Sequence, residues 1–262
     1  MTPKLMGVVN VTPDSFSDGG LYLDPEAAVA HGLELVAAGA EILDVGGEST
    51  RPGAEAVSEA EELRRVVPVI RGLRSLDGEV SVDTSKARVA GAALDAGATI
   101  VNDVTALRGD GEMAQLCAER GATVVLMHML GQPRTMQDDP RYGDVVAEVK
   151  AFLAERLEFA VGAGIAEERV WLDPGIGFGK TAAHNLELLR RLGELSELGR
   201  PLVIGTSRKS FIGKFDGSDA AHRLGGTIAS SVLAAAEGAE VLRVHDVAEV
   251  GQALTVATAI LG

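Results

Sequence analysis

Short apolar runs alternate with amphipathic segments along this chain. Four of the runs follow a Gly-Ala pair, which begins at Gly39, Gly97, Gly121 and Gly238. Each pair comes after a segment rich in Ala, Leu and Glu, a composition typical of helices. The pattern predicts a helix that ends at the glycine and is followed by a short buried strand.

Less regular segments of the same kind bring the predicted strands to eight. They are Leu5–Val11, Ile42–Val45, Val80–Asp83, Ile100–Asp103, Val124–Met127, Val170–Asp173, Leu202–Gly205 and Val241–Val244. Apolar strands separated by helices are typical of a parallel sheet that helices cover. We therefore predict an α/β fold, a single (β/α)8 TIM barrel over residues 1–262, with its active site at the C-terminal face of the strands. A doubly wound sheet is the alternative.

The segment from Leu172 to Thr181 joins a predicted strand to a glycine-rich turn. It is close to a nucleotide-binding loop, but Pro174 stands where a Walker A motif needs its first glycine. Lys180 likewise stands where a dinucleotide motif needs its last glycine. What is left is Asp173 at the end of a buried strand, beside a loop that can approach a ligand closely. The loop alone does not distinguish a binding site from an aspartate that caps the next helix.

Composition and charge narrow the classes of partner. The chain has 262 residues, 46% of them hydrophobic, and a net charge of −14, which argues against nucleic acid or an anionic membrane as a partner. Its N-terminus shows no signal peptide and no run is long enough to span a membrane, so we expect a cytoplasmic protein. The single Cys117 cannot form an intramolecular disulfide. Because the chain as a whole is acidic, an anionic substrate must be bound by a local group of cations.

Polar residues stand at or just beyond the end of every predicted strand. They are Asn10, Asp44, Asp83, Asn102, Asp103, His128, Asp173, Ser207, Arg208, Lys209, Arg243 and His245. Any one of them could be an ordinary helix cap, and Asp44 and Asp103 are the weakest candidates. In a barrel, however, all of these ends meet at one mouth, which predicts a functional site there.

The chemistry of this set is of two kinds. Asp83, Asn102 and Asp173 are acceptor-rich and suit a flat heterocycle with adjacent N–H donors. A donor-rich group suits phosphate and consists of Asn10, Thr50, Arg51, Arg243 and His245. Faces for stacking could come from Phe16, Met127 and Phe178, although core packing is the simpler explanation for Met127. A ligand with a heterocyclic end and a phosphorylated end fits both groups.

These segments resemble the dihydropteroate synthases, a family of pterin-binding TIM barrels. The resemblance covers almost the whole chain, in family order, and is carried by residues 10–20, 46–53, 81–84, 101–104, 126–129, 172–181, 207–210 and 243–247. One position departs from the family pattern. His222 precedes Arg223 where members usually have glutamate, which puts a local salt bridge in doubt.

The resemblance implies the condensation of 6-hydroxymethyl-7,8-dihydropterin pyrophosphate with p-aminobenzoate, which gives 7,8-dihydropteroate and pyrophosphate in folate biosynthesis. It assigns pterin binding to Asp83, Asn102, Met127, Asp173, Phe178 and Lys209, with Asp83, Asp173 and Lys209 as the catalytic residues. It assigns pyrophosphate binding to Asn10, Thr50, Arg243 and His245, with Asn10 also a ligand of Mg²⁺ on the pyrophosphate. It assigns p-aminobenzoate binding, and competition by sulfonamides, to Phe16, Arg51, Pro52 and Ser207. It also suggests a homodimer, for which the last two helices are the best surface.

The bond that breaks favours a dissociative route, because an electron-rich dihydropterin can delocalise the positive charge left by pyrophosphate. Two alternatives to a synthase share the pterin residues. A pterin-dependent methyltransferase of the same superfamily has no need for the segments from Thr12 to Gly20, from Thr50 to Pro52 and from Ser207 to Lys209, and their presence counts against it. A non-catalytic pterin-binding paralogue would be expected to have lost residues of the loops or of the pyrophosphate site, and none is missing here.

Overall fold

The computed structural model describes residues 2–12, 24–49, 56–75, 78–131 and 135–261. Strands and helices alternate along it. The strands are β1 Lys4–Asn10, β2 Ile42–Gly46, β3 Glu79–Asp83, β4 Ile100–Asp103, β5 Thr123–Met127, β6 Val170–Asp173, β7 Val203–Ile204 and β8 Val241–Val244. The helices are α1 Pro25–Ala37, α2 Glu59–Leu73, α3 Ala87–Ala96, α4 Met113–Arg120, α5 Val145–Gly162, α6 Ala182–Arg190, α7 Gly193–Ser196, α8 Ser210–Asp216, α9 Leu224–Ala236 and α10 Val247–Leu261.

The eight strands form one parallel sheet in the order β6-β5-β4-β3-β2-β1-β8-β7. Its two outer strands approach each other, because Leu172 of β6 makes a parallel bridge to Leu202 just before β7. The Leu172 amide also donates to the Pro201 carbonyl, at 2.9 Å. The sheet is thus a nearly closed (β/α)8 barrel, and the predicted fold class is confirmed over the doubly wound alternative.

Two apolar layers explain why the strands are short and hydrophobic on both sides. The larger lies between strands and helices and includes Leu43, Val101 and Leu126. A second fills the barrel interior with Met6, Ile42, Ile100, Val125, Val203 and Val241, against which Trp171 packs. Strand side chains alternate between the two faces, so strand residues have no solvent-facing side near the base of the barrel.

The same alternation places the polar strand ends. A residue two positions after an inward-facing one also faces inward. Asp44 follows Ile42 in this way, Asn102 follows Ile100, and Asp173 follows Trp171. Arg243 follows Val241, and Met127 follows Val125. The interior therefore has an apolar plug and, one step higher, a polar layer at the carboxyl ends of the strands.

The glycine signals mark helix ends as predicted. Gly97 is the C-cap of α3 and Gly121 the C-cap of α4. Gly39 and Gly238 come one residue after the C-caps Ala38 and Glu237 of α1 and α9. Within the described ranges, no helix is long and apolar enough to cross a membrane.

Candidate active site

A cavity of about 420 Å³ opens at the carboxyl ends of the strands. Seven of the predicted site residues line it: Asn10, Asp83, Phe178, Ser207, Lys209, Arg243 and His245. Three others lie in the polar layer at the strand ends, where Asn102, Met127 and Asp173 are buried. Strand register brings these together in pairs, because Asp83 lies opposite Asn102 and Met127 opposite Asp173. The structure therefore gathers the acceptor-rich group and most of the donor-rich group at one mouth.

Four of the predicted residues fall outside the described residues: Phe16, Thr50, Arg51 and Pro52. Their assignments to the p-aminobenzoate and pyrophosphate sites stay predictions. Described residues next to these segments line the cavity, namely Thr12, Glu48 and Ser49.

Asp44 organises the acceptor-rich side, a role that the sequence did not indicate. It is fully buried, and its Oδ2 accepts from Arg243 Nε at 2.6 Å and from Asn102 Nδ2 at 3.1 Å. Arg243 Nη2 also donates to Asp83 Oδ2 at 3.0 Å. The other Asp44 oxygen has no hydrogen-bond partner among the described residues. One carboxylate thus orients a predicted pterin residue and a predicted pyrophosphate residue together.

Asp83 is held in a strongly charged environment. Burial and the nearby Asp44 charge raise the pKa of its carboxyl to about 7, while Arg243 acts in the opposite direction. A carboxyl with this pKa exchanges protons near neutral pH. Its ionised form, beside Arg243, is the one suited to stabilise a cation in the cavity.

Asp173 and the loop after β6 form a second part of the site. The Gly175 amide donates to Asp173 Oδ1 at 2.7 Å. The next helix, α6, is capped by Thr181 instead, so Asp173 is not its helix cap. Burial raises the pKa of the Asp173 carboxyl, and the Lys209 charge opposes that shift. Asp173 is thus a buried acceptor at the end of its strand.

Lys209 faces this loop. Its ammonium donates to the Ile176 carbonyl and lies 4.8 Å from the centre of the Phe178 ring. Burial lowers the pKa of Lys209 to about 8, although Asp173 opposes the shift. The ammonium, the aromatic face and the Asp173 carboxylate together form one side of a flat slot.

Ser207 and His245 are bound to each other. Ser207 Oγ lies 3.0 Å from His245 Nδ1 and accepts from the His245 backbone amide at 3.2 Å. Both side chains line the cavity. This pairing fixes the imidazole that the sequence assigned to pyrophosphate, whereas the p-aminobenzoate role of Ser207 stays a prediction.

The departure at His222 has a simple structural context. His222 is exposed and its Nδ1 lies 2.8 Å from Asp219 Oδ1. Arg223 is bound instead by carbonyls, with Nη2 2.8 Å from the Ser218 oxygen and Nη1 3.0 Å from the Arg208 oxygen. The Arg223 side chain therefore has partners without a neighbouring glutamate. Arg223 and Ser210 also line the cavity, and the sequence argument did not single them out as site residues.

Asn10 is the described residue that we predict to bind a metal ion. The described residues contain no group of three or more His, Cys, Asp or Glu side chains placed to bind an ion. Asn10 lies at the end of β1 on the cavity wall. One amide oxygen suits Mg²⁺ that keeps most of its waters and takes its other ligands from a bound pyrophosphate.

Comparisons with known proteins agree on one family. A model of the family described as "Pterin binding enzyme" matches residues 6–245. The dihydropteroate synthase of Escherichia coli K12 is 48% identical over 260 residues, which cover 99% of this chain and 92% of that protein.

Solved structures give the same result. A Yersinia pestis dihydropteroate synthase in a sulfonamide drug complex superposes with a TM-score of 0.96 at 46% identity, covering 99% of this chain and 94% of that one. A Xanthomonas albilineans dihydropteroate synthase in complex with 7,8-dihydropteroate gives a TM-score of 0.89 at 48% identity, with the same coverage of 99% and 94%. The similarity thus extends over nearly the full length of both chains.

Proposed function

We propose roles for the residues of this cavity on the premise that the chain belongs to the pterin-binding enzyme family and, within it, to the dihydropteroate synthases. The reaction condenses 6-hydroxymethyl-7,8-dihydropterin pyrophosphate with p-aminobenzoate. Its products are 7,8-dihydropteroate and pyrophosphate. The observation that carries the assignment of roles is that two buried carboxylates, Asp83 and Asp173, stand at strand ends of one barrel mouth, where Lys209 and Phe178 lie together on the cavity wall.

The slot suits the pterin ring. Asp173 accepts from the ring N3–H and the 2-amino group, and Asn102 binds the neighbouring edge. Lys209 donates to the ring oxygen and N5, while Met127 and Phe178 cover the faces. Support comes from the hydrogen bond of Gly175 to Asp173, which leaves the second carboxylate oxygen for a ligand. Asp83 lies beside the reduced part of the ring.

The remaining residues bind the other ends of the two substrates. Arg243, His245, Asn10 and Thr50 bind the pyrophosphate, and Mg²⁺ held by Asn10 would neutralise part of its charge. The set for p-aminobenzoate, where sulfonamides compete, is Phe16, Arg51, Pro52 and Ser207. A relative in complex with a sulfonamide drug supports that competition.

We propose a dissociative route. The bond between the methylene carbon and the pyrophosphate oxygen breaks first, and its electron pair leaves with pyrophosphate. The ring delocalises the positive charge, which the Asp83 and Asp173 carboxylates stabilise. The amine of p-aminobenzoate then forms the new C–N bond and releases a proton to solvent. No covalent intermediate with the protein is needed.

A pyrophosphate-release assay tests the reaction itself. Release is expected only when both substrates and Mg²⁺ are present, and its absence would favour a non-catalytic pterin-binding protein. The route is tested with substrate that carries oxygen-18 at the bridge, together with a p-aminobenzoate analogue that cannot react. A dissociative enzyme scrambles the label into non-bridging positions, more slowly in Asp83→Asn. Full retention of label by an enzyme competent in condensation would favour direct displacement.

The oligomeric state, the cellular location and the partners of the protein are proposed from the sequence. We propose a homodimer through α9 and α10, a cytoplasmic location, and no nucleic-acid or membrane partner. Exposed apolar side chains on the two helices support the dimer, among them Leu233 and Ile260. Cell fractionation with a specific antibody tests the location.

A further inference from the structure

Lys180 is a buried lysine for which the reaction described above has no use. Its side chain is 2% exposed, although lysine is rarely buried. Its ammonium lies 3.0 Å from the carbonyl oxygens of both Gly175 and Phe178 and 2.8 Å from His128 Nδ1. A lysine ammonium has three donors, so these three nearest acceptors satisfy it, and the His128 carbonyl oxygen lies further away at 3.4 Å. Burial lowers the pKa of His128 to about 3 and that of Lys180 to about 7, so the ring is neutral and its Nδ1 accepts from the charged form of Lys180.

Lys180 joins two points of the loop after β6 by hydrogen bonds to the loop backbone. The carbonyls of Gly175 and Phe178 face Lys180, and the Ile176 carbonyl between them accepts from Lys209. The Phe178 ring contacts the same Lys209 ammonium. The loop backbone therefore has Lys180 on one side and Lys209 on the other.

Neighbouring side chains hold His128 and the loop after β6 in place. The His128 ring meets the Phe152 ring edge-on at 4.8 Å. The Tyr142 hydroxyl donates to the Gly179 carbonyl at 2.8 Å. The Asn185 side-chain oxygen accepts from the Gly177 amide at 2.7 Å. Lys180 is thus the cation at the centre of a fixed group of acceptors.

We propose that Lys180 is a positioning residue for the pterin slot, which acts through the loop backbone on Lys209 and Phe178. By binding the carbonyls of Gly175 and Phe178, it fixes the turn that presents the Ile176 carbonyl and the Phe178 ring to the Lys209 ammonium. The inference rests on the pterin-binding roles proposed above for Lys209 and Phe178. Its positive charge also favours the ionised form of Asp173, since Lys180 is among the charges that lower the pKa of that carboxyl.

The test replaces Lys180 by methionine, which keeps an unbranched stem and removes the charge. In the full-length protein, calorimetric titration with 6-hydroxymethylpterin is expected to show affinity weakened about tenfold, while the Michaelis constant for p-aminobenzoate changes less than about twofold. Lys4→Met is the matched control, because Lys4 is an exposed lysine at the opposite end of the barrel. It should leave both values unchanged.

A double-mutant cycle separates positioning from general stability. In a Lys209→Met background, Lys180→Met should weaken pterin binding by clearly less than about tenfold, because one of the two groups that it positions is absent. An equal tenfold loss in both backgrounds, or no loss in folded Lys180→Met, would overturn the proposal. If Lys180→Met does not fold, His128→Phe removes the Nδ1 acceptor and keeps a ring against Phe152. It decides in the same way, with an expected loss of about threefold in the Lys209 protein and a smaller loss in Lys209→Met.

Hydrogen exchange of the loop provides a readout that does not depend on the proposed pterin roles. Amides of Ile176, Gly177 and Phe178 are expected to exchange faster in Lys180→Met than in Lys4→Met. Unchanged exchange would contradict the inference about Lys180. If Asp173→Asn and Lys209→Met both leave pterin affinity unchanged, the proposed pterin site is wrong, whatever the loop does.

Discussion

At the scale of single residues, the site depends on charges that are buried in pairs. Arg243 joins Asp44 and Asp83 with hydrogen bonds of 2.6 Å and 3.0 Å, so three charges share a small volume. An uncompensated charge in such a place is expensive, which makes each partner necessary to the others. A pyrophosphate that binds Arg243 would compete with Asp83 for the same guanidinium.

Asp173→Asn tests the acceptor at the centre of the pterin slot. The amide replaces a carboxylate oxygen with a donor, so one bond to a ring N–H is lost and a repulsive contact takes its place. We expect 6-hydroxymethylpterin to bind more than about tenfold more weakly, in line with about 1.5 to 3 kcal/mol for a hydrogen bond to a charged group. Calorimetric titration measures it, and an unchanged dissociation constant would remove Asp173 from the site.

His128→Asn tests how a buried neutral imidazole affects acid stability. Burial and the Lys180 charge together lower the pKa of His128 from an ordinary value of 6.5 to about 3. Between these two pH values the unfolded chain binds a proton that the folded chain does not. Above pH 6.5 His128 is neutral in both states and does not affect the balance between them. As the pH falls from 6.5 towards 3, protonation of His128 in the unfolded chain lowers the free energy of unfolding.

The measurement for His128 is urea unfolding at a series of pH values. The free energy of unfolding should fall less steeply from about pH 6 to pH 4 in His128→Asn than in the unsubstituted protein, by up to about 1.4 kcal/mol per pH unit. Raised pKa values of Asp83 and Asp173 act with the opposite sign, but they are present in both proteins. Parallel curves would contradict the burial of a neutral His128.

The types of residue at the strand ends could be predicted from sequence, whereas their partners could not. Asn102, Asp173 and Lys209 stand beside recognisable apolar runs, so their position in a barrel follows from the strand pattern. The bond between Asp44 and Arg243 joins residues 199 positions apart, and it depends on the register of β2, β1 and β8. In the sequence, Lys180 is likewise only a residue of an incomplete nucleotide-binding motif. The hydrogen-bond acceptors around its ammonium become apparent only in the structure.

At the scale of elements, the loop after β6 is the most constrained part of the described site. Gly175 has a φ of +67°, and a Cβ at this position would lie 1.9 Å from the His128 carbonyl oxygen. A contact of that kind with backbone can be relieved only by moving the loop. The loop therefore requires glycine for two reasons, backbone conformation and space.

Gly175→Ala tests this constraint against a matched glycine. Gly199 has a similar φ of +68° but no atom within 4 Å of an added Cβ. Both alanines bear the strain of left-handed backbone, about 1 kcal/mol. We expect Gly175→Ala to lose more stability than Gly199→Ala in urea unfolding and, unlike it, to bind 6-hydroxymethylpterin more weakly. Equal losses, with pterin affinity retained in both, would show that the loop accommodates the methyl group.

The apolar pattern of the sequence predicts the ends of the strands less accurately than their positions. The predicted strand from Leu202 to Gly205 is reduced to Val203–Ile204, because Leu202 is joined to its neighbour only by an isolated bridge. Three of the other strands, β4, β6 and β8, have the predicted bounds, and the remaining four differ by one residue at one or both ends. Apolar runs identify a strand, but its ends depend on hydrogen bonds to neighbouring strands that a single run does not contain.

At the scale of the whole molecule, the barrel brings distant strands to one mouth. Strands β1 to β6 pair with their sequence neighbours, and β1 also pairs with β8, so the first and last thirds of the chain share the cavity. Recurrent strand and helix units were enough to predict this topology. The sequence segments that contain Phe16, Thr50, Arg51 and Pro52 have no hydrophobic period, so their pattern predicts no conformation.

The outer surface of α9 and α10 is the part of the molecule that a second copy would cover. The buried side of α9 consists of small and polar residues such as Ser231 and Ala234, while Leu233 is 63% exposed. On α10, Val256 and Ile260 are 54% and 77% exposed. Packing against the barrel therefore does not account for these apolar side chains, and their exposure on two neighbouring helices supports the proposed dimer.

A double substitution, Leu233→Glu with Ile260→Glu, tests the dimer. Two carboxylates per subunit would face their counterparts across an isologous interface and would lose solvation there, so the dimer should dissociate. Sedimentation velocity at micromolar concentration should show a dimer for the unsubstituted protein and a monomer for the variant. The control is Leu33→Glu, which places a similar charge on an exposed leucine of α1 and should leave the dimer intact. A monomeric unsubstituted protein, or a variant that sediments as a dimer, would show that α9 and α10 do not form the interface.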